Sequence, residues 1–237
     1  MIRGGDEGLG TFIFYLLLLF GVMMLPKYLR YRGSNYKTAS GNSFFKTVFD
    51  KGNYGEFLTF TYLKKLKGQH KLLTNLYLTK EDGSTTEIDL IMLSETGIYV
   101  FESKNYSGWI FGDEKNKNWT QTFKNRQKYK FLNPIWQNKG HIKALKHVLD
   151  MSNNNLYKSY IVFSERCTLK KINITSPNTK VIKRNQLVNT IKQDIQSSPN
   201  LLTIEEVDRL YSKLLRYACA DDSIKKAHVD AIQVRRS

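Results

Sequence analysis

The chain opens on a run without charge: from Gly8 to Leu25 it reads GLGTFIFYLLLLFGVMML, eighteen uncharged and mostly apolar residues. As a helix rising ~1.5 Å per residue, this run nearly covers a ~30 Å hydrocarbon core, so a single transmembrane helix over residues 9–25 is expected. A cleaved signal peptide is the competing reading. Against it, Asp6 and Glu7 accompany Arg3 ahead of the run, and PKYLRYR follows where a small-residue cleavage site would stand. Lys27, Arg30, Arg32 and Lys37 crowd the C-terminal flank, which assigns that flank to the cytoplasm and residues 1–8 to the other side. The expected location is the cell membrane, single-pass, with the domain in the cytoplasm. Residues 32–43 (RGSNYKTASGNS) are polar and rich in Gly, Ser and Asn, so 26–43 reads as a basic polar tether.

Beyond the tether the patterning changes period. Gly55–Lys67 carries apolar residues at 58, 62, 63 and 66, a helical spacing, with Gly68 placed to stop it. LLTNLYL, TTEIDLIML and GIYVFESKNY are three strand-like runs separated by KEDGS and SET, turn compositions that predict an antiparallel meander. Trp109–Gly112 and Trp119–Thr122 pair as a further hairpin across DEKNK. Asn133 followed by Pro134 opens a helix to Leu149, with Ile142, Leu145, Val148 and Leu149 as its stripe and MSNNN as its stop. YIVFS and KVI are short buried strands, and Thr203 with Glu206 forms a capping box for a helix carrying Val207, Leu210, Leu214 and Leu215. Helix, meander, helix and further strands make an α/β domain with a mixed sheet.

Composition narrows the partner. Thirty-seven Lys and Arg against 21 Asp and Glu leave a net charge of +16, which favours a polyanion, nucleic acid or anionic lipid, over a neutral metabolite. Cys167 and Cys219 stand far apart without a CxxC, which excludes a disulfide framework and a cysteine-rich zinc site.

In so basic a chain, carboxylates inside apolar strands need a compensating partner. Asp89 lies in TEIDLIML and Glu102 in IYVFESK. By alternation Ile98, Val100, Glu102 and Lys104 share one face, and Tyr99, Phe101 and Ser103 the other. If the hairpin brings Asp89 beside Glu102, two hard oxygen ligands meet a lysine, an arrangement suited to Mg²⁺ and a lysine-held water. A cross-strand salt bridge from Lys104 to the two acids accounts for the same residues. Glu56 adds a third carboxylate, which on its own would be read as complementing a helix dipole.

GNYGEFLTFTYL, TEIDLIMLSETGIYVFESKNYSGWI, Trp119 and NPIWQNKGHIKAL, in that order, resemble the nuclease-related domain (NERD), a branch of the PD-(D/E)xK nuclease-like superfamily, over residues 47–165. The resemblance implies a restriction-endonuclease-like core, a mixed four-stranded sheet flanked by helices. It further implies Glu56 as first-motif acid, Asp89 and Glu102 as ligands of Mg²⁺ or Mn²⁺, and Lys104 as the base that orients water. Gln137 falls in the family's Asn-Pro-x-x-Gln segment and joins these four as a candidate catalytic residue. On helical spacing it faces the sheet with His141 and Leu145, as a contact to phosphate or acids or as a buried tie between helix and strand. His141 is expected to be a satisfied, partly buried histidine outside the catalytic set. Glu87 shares the face of Asp89 as an auxiliary acid or a surface residue. Trp109, Trp119 and Trp136 are expected in the core, with base stacking as the alternative.

The expected organisation is therefore a nuclease-like domain over 44–165 and a C-terminal extension, 166–237, packed on it. The expected function is a membrane-anchored, Mg²⁺-dependent hydrolase cutting phosphodiester bonds in DNA. The alternative is a membrane-tethered nucleic-acid-binding or scaffolding protein of the same fold without turnover.

Overall fold

The structure, a computed structural model, describes residues 5–218. Residues 1–4, part of the expected extracytoplasmic terminus, and 219–237, with Cys219 and the basic end of the C-terminal extension, lie outside the described residues.

A five-stranded sheet in the order β1-β2-β3-β7-β9 forms the centre. Its strands are β1 (Lys71–Thr79), β2 (Thr85–Ser94), β3 (Gly97–Lys104), β7 (Tyr157–Phe163) and β9 (Thr179–Lys183). The first three make the expected antiparallel meander, and β7 and β9 add in parallel. Helices α5 (Pro134–Leu149) and α7 (Ile204–Leu215) cover one face, burying Ile91, Leu93, Ile98 and Val100 against Leu145, Leu149, Leu210 and Leu214. Helices α4 (Lys51–Leu63) and α6 (Leu187–Ser197) cover the other, where Leu90, Met92, Tyr99 and Phe101 meet Phe57, Phe60, Leu63 and Ile191. The period-two pattern of β2 and β3 thus feeds two apolar layers, as a sheet covered on both sides requires. Residues 166–218 contribute to this domain, since β9 extends the sheet and α6 and α7 each close one layer.

The sheet implied by the family resemblance had four strands. The structure has five, and a second sheet of order β6-β5-β4-β8. Here β4 (Gly108–Asp113) and β5 (Asn118–Thr122) form the expected hairpin, while β6 (Lys128–Leu132) and β8 (Cys167–Asn173) extend it on either side. Trp119 is buried and stacks on Phe163 at 6.1 Å between ring centroids. A Cβ at Gly112 would lie 2.1 Å from that indole, so only glycine fits beneath it.

Glu114, buried in the β4–β5 turn, ties this second sheet to α5. It accepts from the Thr175 and Ser176 N–H groups at 2.8 and 2.9 Å, from the Ser176 hydroxyl, and from Lys139 Nζ at 2.9 Å. Burial opposes its ionisation, but the Ser176 and Lys139 bonds and the two backbone donors outweigh burial and hold the carboxyl far below its ordinary range. A depressed carboxyl pKa stabilises the fold above the unfolded value, and that contribution fades as pH falls below it. Glu114→Ala is therefore expected to cost about 3 kcal/mol at neutral pH, roughly 6–12 °C in Tm. Thermal melts over a pH series should show the gap between wild type and Glu114→Gln narrowing below about pH 4.5; a gap independent of pH would remove Glu114 from this role.

The expected tether is not a tether. The N-terminal helix α1 runs Gly5–Gly33, past Pro26, and α2 (Tyr36–Ser40) follows it directly, with the short α3 (Phe44–Phe49) leading into α4. Tyr31 and Tyr36 are buried in the α4 layer. Arg30 donates to Thr61 Oγ1 at 2.6 Å, Lys64 Nζ to Ser34 O at 3.1 Å, and Thr74 Oγ1 to Ala39 O at 2.7 Å. Two tyrosines interleaved with the polar residues supply the burial that the composition of the segment conceals. Gly8–Gly33 is long and apolar enough to cross a membrane, and its apolar window is wholly exposed.

A candidate acid–lysine site at the end of the central sheet

Helix α4 begins four residues earlier than its spacing suggested, because Asp50 caps it by accepting from Asn53 N–H at 2.8 Å. Glu56 consequently sits in the second turn, beyond the first turn where a helix dipole acts most strongly. The helix also crosses close to the exit of β3. A Cβ at Gly55 would lie 2.8 Å from Asn105 Cβ, so this glycine permits the approach that brings Glu56 to the strand ends.

Asp89 is placed by an irregularity in the sheet. Ile88 packs with Leu76 and Leu78 on the α5 side, whereas Leu90 and Met92 pack on the α4 side, so β2 changes face between 88 and 90. The change falls between the Thr74–Leu90 and Leu76–Ile88 pairs, where Asn75 adopts φ 52°, the left-handed region that Asn tolerates better than most residues. β2 and β3 stop pairing at Leu90–Phe101. The Asp89 carboxylate bridges the separation, accepting from Ser103 N–H at 2.8 Å. Ser103 Oγ in turn donates to Thr59 Oγ1 of α4 at 3.0 Å.

Glu102 is 1% exposed, and both its oxygens are engaged. Lys104 Nζ donates to Oε1 at 2.6 Å, and His141 Nε2 lies 3.0 Å from Oε2. Gln137 Oε1 accepts from the same ammonium at 3.0 Å. The other ring nitrogen of His141 lies 2.8 Å from Thr86 Oγ1. Asn138 fixes this stretch of α5 to the sheet, donating to Val100 O at 2.9 Å and Ser159 Oγ at 2.8 Å. Gln137 is thus a tie between helix and strand whose strand partner is the lysine. His141 is buried and satisfied as expected, but its partner is a site acid, which sequence had left outside its reach. Spacing alone held the signal, since residues 137 and 141 lie one turn apart on a single helix face. Glu87 accepts from the Tyr77 hydroxyl across the β1–β2 pair.

The electrostatics are those of crowded acids. Burial, then Glu87 and Glu102, push the Glu56 carboxyl up to about 8. Burial, then Glu102 and Glu56, also raise Asp89 well above the usual aspartate range. Burial works against an ionised Glu102, but Lys104 and His141 outweigh it and lower that carboxyl. Burial likewise opposes the Lys104 charge, and Glu102 and Asp89 overcome it, keeping the ammonium protonated. Three carboxyls (Glu56, Asp89, Glu102) therefore share the field of one lysine, with Glu87 a further negative charge beside Glu56. Among the described residues no group of three or more His, Cys, Asp or Glu side chains forms a ready metal cage. Mg²⁺ does not need one, because it keeps several waters and takes one or two carboxylates. Hard oxygen donors short of positive charge suit such an ion, with Asp89 and Glu102 the residues that would hold it.

An α/β domain with an acid–lysine cluster at the strand ends is the class that fold and site define. The family model of the nuclease-related domain, NERD, matches residues 51–164, a stretch that holds the whole cluster. An uncharacterized protein of Bacillus anthracis is 38% identical over 182 residues, 76% of this chain and 82% of that protein. No solved structure matches the chain. The chain belongs to the nuclease-related domain family.

Proposed function

We propose that this protein is a metal-dependent nuclease that hydrolyses phosphodiester bonds in DNA and is held at the cell membrane by α1, with its domain in the cytoplasm. The observation that carries the reading is the gathering of Glu56, Asp89 and Glu102 near Lys104, where burial and mutual repulsion disfavour the ionised acids and a divalent cation would favour them. Asp89 and Glu102 would hold Mg²⁺ or Mn²⁺, with Glu56 assisting through the ion or its waters. When bound, such an ion supplies positive charge to the scissile phosphate and acidifies a water. Lys104 orients the attacking water, and Gln137 and His141 fix Lys104 and Glu102 from α5. The net charge of +16 favours the polyanionic substrate and makes its binding salt-sensitive.

Full-length protein in detergent, given labelled linear, circular and single-stranded DNA and RNA with Mg²⁺ or Mn²⁺, should cut DNA and stop when EDTA is added. No cleavage of any substrate with either ion would sink the nuclease reading and leave the nucleic-acid-binding or scaffolding protein without turnover. That second reading draws support from Glu102, whose two oxygens are already occupied by Lys104 and His141. Intact protein should stay in the alkaline-carbonate pellet, and protease added to spheroplasts should spare the domain. Release into the supernatant, or digestion from outside, would overturn the membrane assignment.

A further inference from the structure

The second sheet has two unlike faces. Ile110, Trp119, Phe131 and Ile172 turn inward onto Ile161 and Phe163. Trp109 and Phe111, at alternate positions of β4, turn outward and are 41% and 36% exposed. Their ladder partners are Thr122 and Thr120 on β5, followed by Lys128 and Lys130 on β6. On the other side Thr168 and Lys171 of β8 pair with the same two aromatics, and Lys170 at the bulge lies 5.6 Å from the Trp109 ring. Two aromatic side chains are thus flanked on both edges by lysines. Among the described residues, Lys128, Lys130, Lys170 and Lys171 have no acidic partner within ion-pair distance. Asp113, the one acid in the four strands, stands at the end of β4 with its carboxylate taken by Lys115 N–H at 2.9 Å and Asn173 Nδ2 at 3.0 Å.

We infer that this outer face is a platform for single-stranded DNA, an assignment that rests on the DNA-directed reading above. Alternate residues of a strand stand about 6.8 Å apart, a spacing at which two aromatic side chains can each take one base. Only unpaired bases offer their faces to such a platform, because in a duplex they are stacked on one another. The lysine rows lie where the phosphates of an extended strand would pass, and a sheet face short of acids does not suit an acid-balanced protein surface. The platform also leads to the acid–lysine cluster. A cavity of about 650 Å³ beside Trp109 is lined by Lys124, Gln127 and Arg166, among others. Arg166 donates from that cavity to Asn105 O at 3.0 Å and Asn105 Oδ1 at 3.1 Å, and Asn105 directly follows Lys104. Trp109 lies five positions after Lys104, at most about 18 Å along a fully extended chain. A strand stacked on Trp109 and Phe111 is therefore within a few nucleotides of the cluster.

The test measures binding without cleavage. Full-length protein in detergent and EDTA is titrated with labelled oligothymidine, a duplex of equal length and an RNA counterpart, by anisotropy and tryptophan quenching. Trp109→Ala and Phe111→Ala should each weaken single-stranded DNA binding roughly tenfold or more, with far less effect on the duplex. Trp109→Phe should recover most of the loss, which separates stacking from misfolding. Lys128→Ala and Lys130→Ala should each lower the slope of log K against log salt by about one. Unchanged affinity in a folded Trp109→Ala variant, or equal losses on duplex and single strand, would overturn the platform. RNA held more tightly than DNA would overturn its assignment to DNA. Failure of the nuclease reading is visible separately: Trp109-dependent binding without cleavage keeps the platform, and cleavage indifferent to Trp109 removes it.

Discussion

Asp89→Asn is expected to lower metal-dependent cleavage roughly 10³-fold or more, the scale on which loss of one member of a catalytic unit is felt. The carboxamide oxygen still accepts from Ser103 N–H, so the junction of β2 with β3 is kept. What is lost is a negative charge that a divalent ion needs. Stability should move the other way. Ionised Asp89 sits among Glu56 and Glu102 in a buried site, and this raises its pKa, so in EDTA the neutral amide should leave Tm unchanged or higher. Mg²⁺ should raise the Tm of the wild type by mass action and leave the variant where it was. Lys104→Ala should lose turnover on a similar scale yet retain the metal-induced rise in Tm, since it removes no oxygen ligand. Cleavage by Asp89→Asn at the wild-type rate would remove Asp89 from the mechanism. A metal-induced Tm shift surviving in that variant would place the ion elsewhere.

A chain beginning at Pro26 should be folded and stable, whereas one beginning at residue 44 should lose more than about 5 kcal/mol and unfold or aggregate. The difference lies in residues 26–43. Tyr36 is fully buried and Tyr31 nearly so, packed on Phe57 and Phe60. Removing a single buried aromatic typically costs 3–5 kcal/mol, and domains hold only about 5–15 in total. Tyr31 also donates to Asn42 O at 2.5 Å, and Asn75 Nδ2 donates to Ser40 O at 3.3 Å. The second bond reaches the irregular residue opposite the Asp89 region, so loss of α2 should disturb the site as well as the core. Urea melts followed by circular dichroism would compare the two chains. Equal midpoints would show that α2 contributes little and that residues 26–43 behave as the tether their composition suggests.

Local physics was legible in the sequence. The antiparallel meander followed from alternation and turn composition, the start of α5 from Asn133-Pro134, and the start of α7 from Thr203 and Glu206, each of whose side chains accepts from the other's backbone N–H. Glu102 and Lys104 were placed on one face by their spacing alone, and they lie 2.6 Å apart. Each of these is decided within a few residues, by caps, turns and the period of a strand. Tertiary structure decided what depends on distant partners. The strand β6, KYKFL, reads as exposed basic chain until β5 pairs with it, and β8 needs β4 in the same way. Tyr36 in a polar stretch becomes core only because α4 and β1 lie beneath it. The face change at Asp89 depends on a positive φ at Asn75, fourteen residues earlier in the chain, and puts the carboxylate on Ser103 where strict alternation offers no such contact. His141 acquires its relation to Glu102 only when α5 lies across the sheet, because a side chain's partner across thirty-nine residues is set by packing and not by its neighbours in sequence.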